Sequence, residues 1–197
     1  PRSVLMRTYT PRSFDAKAQM LDVDFVLHAH GPAGRWASRA RVGDRLVLMG
    51  PAPGYKIDFD ADWFVLAGDD TALPAIETIL AELPARARAL VVVEVADSGE
   101  ARELRSPAKV DVQWVVRRPG PAAAPGQALD AALRALAALP PGPGRIYVGC
   151  ESTAMRRIRD FWVKERGVEA RSVVARGYWK LGNPNNPDRD FADEPAR

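Results

Sequence analysis

Cysteine and histidine are scarce in this chain: Cys150 is the single cysteine among 197 residues, and His28 and His30 are the two histidines. One cysteine excludes an intramolecular disulfide and any Cys-rich metal site, and it fits a reducing, cytoplasmic setting. Two histidines without carboxylates at ligand spacing make no zinc site, so no metal ligands are assigned. Long apolar runs are also missing. Stretches such as Ala89–Val93 and Ile146–Cys150 fall far short of the roughly 20 residues that cross a bilayer, and no membrane span is expected. Neither sign of charge dominates: 28 Lys and Arg against 25 Asp and Glu leave +3. The basic residues are scattered among acids and form no clustered stripe, which argues against nucleic acid as a partner. No charged-then-apolar leader opens the chain, which begins at Pro1.

What is present is globular composition, 47% hydrophobic and 27% charged, in two textures that meet near Asp58–Asp62. Before that point the sequence reads as short strands and turns: Val4–Thr10, then Asp22–His30 with Val23, Phe25 and Leu27 alternating against Asp22, Asp24 and His28, then Arg45–Met49. Pro32–Arg41 between them reads as a short helix. After Trp63 the rhythm becomes strand then helix. Strands are expected at Trp63–Ala67, Leu90–Val95, Val110–Val116, Arg145–Gly149 and Arg171–Ala175. Helices are expected around Ile76–Leu83 and over Gln127–Leu139 and Ser152–Arg166. Strands buried on both faces and separated by helices predict a parallel sheet with helical cover. The predicted organisation is therefore a β-rich domain over residues 1–60, an α/β domain over 61–183 and a tail over 184–197. Three or four strands are too few for the roughly six to eight of a closed barrel. Part of the front domain is expected to precede Pro1 or to be absent from the chain.

Four segments carry polar groups suited to chemistry. In Arg7-Thr8-Tyr9-Thr10-Pro11-Arg12, alternation puts Arg7 and Tyr9 on one face and Thr10 on the other; a guanidinium pairs with phosphate and a phenol ring packs on a planar heterocycle. An ordinary strand with a surface Arg is the alternative. His30-Gly31-Pro32-Ala33-Gly34-Arg35-Trp36-Ala37 reads as a turn opening a helix, whose free N–H groups suit phosphate, or as a plain Gly/Pro turn. Gly68-Asp69-Asp70-Thr71-Ala72-Leu73-Pro74 follows the first strand of the α/β domain, where open sheets bind ligands. It is not the Gly-rich dinucleotide fingerprint, and a helix cap by Asp70 or Thr71 is the competing role. Gly149-Cys150-Glu151 closes another strand, and a buried packing thiol is the commoner role for Cys150.

Taken together and in register, these segments resemble the siderophore-interacting proteins, flavin-dependent ferric-siderophore reductases of the ferredoxin–NADP⁺ reductase superfamily. The resemblance rests on Arg7–Arg12, on Asp22–His28 leading into Gly31–Ala37, and on Gly43-Asp44-Arg45-Leu46 with Gly50-Pro51. It continues through Asp62–Ile76 and ends at Gly177-Tyr178-Trp179-Lys180-Leu181-Gly182. It implies a FAD-binding antiparallel β-barrel, incomplete in this chain, followed by a parallel-sheet NAD(P)H-binding α/β domain. By position, Arg7, Tyr9 and Thr10 resemble flavin-binding residues. His28, His30, Gly31, Ala33, Gly34, Arg35, Trp36 and Ala37 correspond to the phosphate and adenine side of the FAD site, and Asp69, Asp70, Thr71 and Ala72 to a flavin-proximal loop. Gly149, Cys150 and Glu151 correspond to the border of the nicotinamide pocket. The family usually has Gly at the position of Cys150 and Glu at that of Asp70.

The implied reaction is electron transfer to a ferric siderophore. Ferric iron is a hard cation held by anionic oxygen donors, and ferrous iron is held far more weakly, so one electron releases the metal. No catalytic acid, base or nucleophile is needed, and none is assigned. Lys180, beside Tyr178-Trp179, and Lys56 are the expected positive rim for an anionic chelate, with a solvated surface Lys as the alternative in each case. The electron donor is NADH, NADPH or reduced ferredoxin. Asp97 after the strand Val91–Val95 suits a ribose hydroxyl, and Arg102 or Arg105 a 2′-phosphate. A monomer is expected. Two other functions fit the same residues: a general flavoprotein reductase serving a protein partner, and a non-catalytic module that binds siderophore or flavin.

Overall fold

A computed structural model describes residues 6–27, 31–51, 54–117 and 124–183. The front segment contributes a two-stranded antiparallel sheet, β1 (Pro11–Asp15) with β2 (Met20–Val23), joined by a turn in which Asp15 Oδ1 accepts from the Lys17 and Ala18 amides. A six-residue helix, α1 (Pro32–Ala37), follows. Here the structure corrects the sequence expectations. Among the described residues, 6–10, 24–27 and 45–49 belong to no strand: Arg45–Met49 does not form the one expected, the described part of Val4–Thr10 does not either, and of the described part of Asp22–His30 only Asp22 and Val23 are in a strand, as the end of Met20–Val23. Alternation supplies a face to bury, but a strand also needs a neighbour for its N–H and C=O groups. Val47, Leu48 and Met49 have none among the described residues and stand largely exposed.

The α/β part is a five-stranded sheet of order β5-β4-β3-β6-β7, with every neighbouring pair parallel. Its strands are β3 (Trp63–Asp69), β4 (Arg88–Val95), β5 (Lys109–Val116), β6 (Gly144–Glu151) and β7 (Val173–Trp179). Helix α2 (Leu73–Glu82) follows β3, α3 (Gln127–Arg134) follows β5, and α4 (Ser152–Asp160) follows β6. Alternate residues of each strand feed two cores. Phe64, Leu66, Val91 and Val93 pack with Ile76, Ile79 and Leu80 of α2 on one face. Val65, Ala67, Val92, Ile146 and Val148 pack with Leu129 and Leu133 of α3 and Met155 and Ile158 of α4 on the other. β3 is buried along its whole length, so each large side chain there contributes about 1.5–3 kcal/mol of burial.

Several boundaries differ from expectation for local reasons. The Ala/Leu helix stops at Arg134, five residues early; the Leu136 and Ala137 carbonyls are taken by Arg166 instead of a helical partner. α4 runs as α-helix to Asp160 and then widens into a π-type turn over Phe161–Glu165 before Gly167, whose φ is +68°. α1 is shorter than Pro32–Arg41. The last strand lies two residues later than expected and extends to Trp179, which brings Tyr178 and Trp179 into the sheet. No helix among the described residues is long and apolar enough to cross a membrane.

Candidate functional site

Strand order reverses between β3 and β6, and the crevice beyond their carboxyl ends is where open parallel sheets take ligands. Two sequence segments singled out separately, Gly68–Ala72 and Gly149–Glu151, meet there. The approach is close: a Cβ on Gly68 would lie 2.6 Å from the Gly149 carbonyl and 2.7 Å from the Ala72 Cβ. Only glycine lets β3, β6 and the turn into α2 converge this tightly.

Asp69 ends β3 with its side chain 1% exposed. Oδ1 accepts from the Thr71 amide at 3.0 Å and the Thr71 hydroxyl at 2.5 Å; Oδ2 accepts from the Glu151 amide at 3.1 Å and from Trp179 Nε1 at 2.8 Å. The turn is therefore capped by Asp69, a correction to the assignment of that role to Asp70 or Thr71. Burial raises the Asp69 carboxyl to about 6, against hydrogen bonds from Thr71 and Trp179 that lower it. Asp70 turns towards Arg117, whose Nη2 lies 3.5 Å away, and burial raises its pKa too. Arg117 Nε also donates at 2.9 Å to Glu94, a fully buried carboxylate near the end of β4. Glu94 in turn accepts from the Gly126 and Leu129 amides at 3.1 and 3.0 Å, so it caps α3 from the neighbouring strand.

On the β6 side, Glu151 Oε2 caps α4 through the Thr153 and Ala154 amides at 2.8 and 3.0 Å, and Oε1 lies 3.4 Å from the Leu181 amide. The Ser152 hydroxyl donates to the Trp179 carbonyl at 3.0 Å. Gly177 is needed opposite it, since a Cβ there would fall 2.5 Å from Ser152 Oγ. Tyr147 and Tyr178 share a 2.6 Å hydroxyl contact, and Tyr55 meets the Tyr147 ring edge-on at 5.3 Å. Lys180 follows directly, half-buried, and no carboxylate among the described residues pairs with it. Cys150 is fully buried and its thiol is pushed well above the ordinary range, chiefly by burial. It packs in the core between the sheet and α4.

In the front segment Tyr9 packs on Phe25 at 4.4 Å and Phe25 on Trp36 at 5.9 Å. Burial raises the Tyr9 phenol, with the Arg7 charge opposing it. Arg7 donates to its neighbour's carbonyl at 2.7 Å and pairs with no carboxylate among the described residues. Thr10 is partly exposed. Gly31, at φ +103°, leads into α1, where Ala33, Trp36 and Ala37 are partly buried, Gly34 is buried and Arg35 is exposed. His28 and His30 lie outside the described residues. Lys56 is exposed. An uncompensated guanidinium beside an aromatic cluster and a glycine-bearing helix start is a donor set that fits a planar, phosphorylated cofactor such as FAD. Asp97 is occupied in its own turn, accepting from the Gly99 amide at 2.7 Å. Arg102 is held bidentately by Glu77, both contacts at 2.9 Å, with Asp24 at 3.6 Å. That ion pairing joins the front segment to α2 and leaves Arg105, which is exposed, as the other basic residue there.

Phe25, Glu94, Arg117, Tyr147 and Trp179 were missed as partners of the site by sequence reasoning. Glu94 carried a signal, a lone carboxylate within Val91-Val92-Val93-Glu94-Val95; the others become visible only through contacts distant in sequence.

The family model described as siderophore-interacting protein matches residues 61–182, and the siderophore-interacting FAD-binding domain matches residues 2–55. Ferric vibriobactin reductase ViuB of Vibrio cholerae is 33% identical over 181 residues, a match covering 89% of this chain and 65% of ViuB. The crystal structure of a siderophore utilization protein from T. fusca superposes with a TM-score of 0.77 at 42% identity, covering 91% of this chain and 68% of that one. The siderophore-interacting protein SipS from Aeromonas hydrophila gives 0.79 at 32% identity, covering 91% and 69%. The chain thus spans about two thirds of the length of these relatives.

Proposed function

The chain belongs to the siderophore-interacting protein family, and on that premise we propose that it reduces ferric siderophores with FAD as resident cofactor, releasing ferrous iron. When bound, FAD accepts electrons as a pair and passes them on singly. The protein's own residues bind and orient. Arg7 neutralises cofactor phosphate, Tyr9 on Phe25 offers a ring face, and Gly31 and Gly34 open the backbone at the start of α1. The turn Asp69–Ala72 and the ends of β6 and β7 shape the crevice from the α/β side. NADH, NADPH or reduced ferredoxin supplies the electrons, with Gly149 and Glu151 at the nucleotide's border. The domain division at residues 60 and 183, a monomeric state and a cytoplasmic location belong to the same reading, the last supported by the buried free thiol of Cys150.

The observation that carries the proposal is Lys180. It is a cation without a carboxylate partner among the described residues, and it stands at the carboxyl edge of the sheet between two pinned backbone groups, the Trp179 carbonyl and the Leu181 amide. Such a charge suits the anionic rim of a catecholate or hydroxamate chelate, whereas Lys56 is exposed and less constrained.

The test is anaerobic reduction of the flavin in the full-length protein by each donor, followed by mixing with a panel of ferric chelates and a ferrous-specific chromophore. Bleaching by at least one donor and reoxidation with ferrous iron appearing are expected. Flavin that no donor reduces, or that no ferric chelate reoxidises, overturns the reading.

A further inference from the structure

Trp179 Nε1 and Asp69 Oδ2 meet across 110 residues of sequence, and the contact joins two motifs that local reasoning treats separately. We propose that Asp69 is the positioning residue for the Trp179–Lys180 turn: its buried carboxylate holds the indole, and the indole holds the lysine at the carboxyl edge of the sheet. The proposal rests on the reading of that edge as the seat of the ferric chelate.

Four donors converge on Asp69: the Thr71 amide and hydroxyl on one oxygen, the Glu151 amide and the Trp179 indole on the other. An ionised carboxylate is the side chain that accepts from all four; an Asn amide would set its NH₂ against at least one N–H donor. The cradle therefore calls for the charged form while burial resists it, which leaves this carboxyl at about 6. The groups facing it from the surrounding elements are Asp70 in its own turn, Glu94 at the matching register position of β4, Arg117 beyond β5, and Cys150 and Glu151 of β6. The arrangement gives Trp179 three anchors at the strand end: its indole on Asp69, its carbonyl on the Ser152 hydroxyl, and the following Leu181 amide at Glu151. Two of these are local to the β6–β7 neighbourhood. The indole bond is the one that ties the turn to β3 and to the crevice. Once Asp69 takes a proton, the bond to Trp179 becomes neutral and weaker.

The test uses the full-length, FAD-loaded protein with Asp69→Asn, Trp179→Phe and Lys180→Ala. Near-ultraviolet circular dichroism is followed from pH 4.5 to 8, and the difference between wild type and Trp179→Phe isolates the Trp179 band. That band is expected to change with a midpoint near 6 and to lose the transition in Asp69→Asn; a transition that persists in Asp69→Asn, or a band flat with pH in the wild type, overturns the link. Trp179→Phe keeps Asp69 and the aromatic bulk, so it carries the second readout even if Asp69→Asn fails to fold. It is expected to raise KM about fivefold or more for an anionic ferric tricatecholate and less than twofold for a neutral ferric trihydroxamate. Equal effects on the two chelates overturn the positioning role. A Lys180→Ala variant with unchanged KM for both sinks the chelate reading itself, while the dichroism still decides the Asp69–Trp179 link.

Discussion

Arg117 Nε donates to Glu94 Oε1 at 2.9 Å, and the Glu94 side chain is fully buried. The same carboxylate accepts from the Gly126 and Leu129 amides, so one side chain of β4 serves as counter-ion for the chain leaving β5 and as cap for α3. It belongs to the scaffold beneath the site. Removing Glu94 leaves Arg117 with Asp70, 3.5 Å away, as its remaining carboxylate among the described residues, and takes the acceptor from two buried amides, at about 1–3 kcal/mol each.

Glu94→Ala is therefore expected to lower the urea midpoint by an amount equivalent to about 2–6 kcal/mol, with the slope unchanged. Glu94→Gln keeps one acceptor for the helix amides and costs less, about 1–3 kcal/mol. Equilibrium denaturation measures both. A midpoint within error of wild type for Glu94→Ala would show that the contacts contribute nothing net.

How much of this was legible in the sequence follows from what each element depends on. β3, β4 and β6 could be read because strands buried on both faces are continuous apolar runs, and the helices between them because Ile76, Ile79 and Leu80 or Leu129 and Leu133 recur at helical spacing. The front strands were misplaced because neither the alternation in Asp22–His30 nor the apolar run in Arg45–Met49 says whether a partner is at hand. The site was legible as separate strand-end motifs. Their joining was not, since Trp179 on Asp69 and Glu94 under Arg117 are contacts between residues that no local pattern links. The cap went to Asp70 or Thr71 in the sequence reading because all three residues suit a cap, and only the buried direction of the Asp69 side chain chooses between them.

Arg7 is expected to act on cofactor affinity and not on the fold. Its guanidinium reaches the carbonyl of Met6, and its charge acts on the Tyr9 phenol. Losing one charge-assisted contact to phosphate costs about 1.5–3 kcal/mol, roughly a tenfold to hundredfold weaker flavin affinity. Arg7→Ala should emerge from gel filtration with a reduced flavin-to-protein ratio and unchanged far-ultraviolet dichroism. A ratio equal to wild type removes Arg7 from the flavin site.

Cys150 is expected to be chemically silent in the native protein. The thiolate is the reactive species, and burial with Asp69, Glu151 and Glu94 nearby holds this thiol in its neutral form. Labelling with a thiol-specific disulfide reagent at pH 8 should be slow in the folded protein and rapid in urea. Cys150→Ala should retain nucleotide-driven flavin reduction, because its side chain is buried in the core. Rapid labelling of the native protein would place the sulfur in the crevice after all.

Asp69 makes a prediction about pH whose sign runs against the usual carboxylate. Burial raises its folded-state value from 3.8 to about 6. The folded chain then binds this proton more tightly than the unfolded one, so the group's contribution is complete below pH 4 and is lost as pH rises through 6. The loss amounts to roughly 3 kcal/mol. Other carboxylates such as Glu165 and Glu169, lowered chiefly by hydrogen bonds from Arg134 and Arg171, shift the whole-protein profile the other way, so the informative quantity is the difference between wild type and Asp69→Asn. Because Asn does not titrate, the stability penalty of Asp69→Asn is expected to be largest near pH 4 and to shrink as pH rises towards 6.5, read from urea midpoints at half-unit intervals. A penalty constant across that range would mean that Asp69 titrates alike in both states, the donors around its carboxylate offsetting its burial.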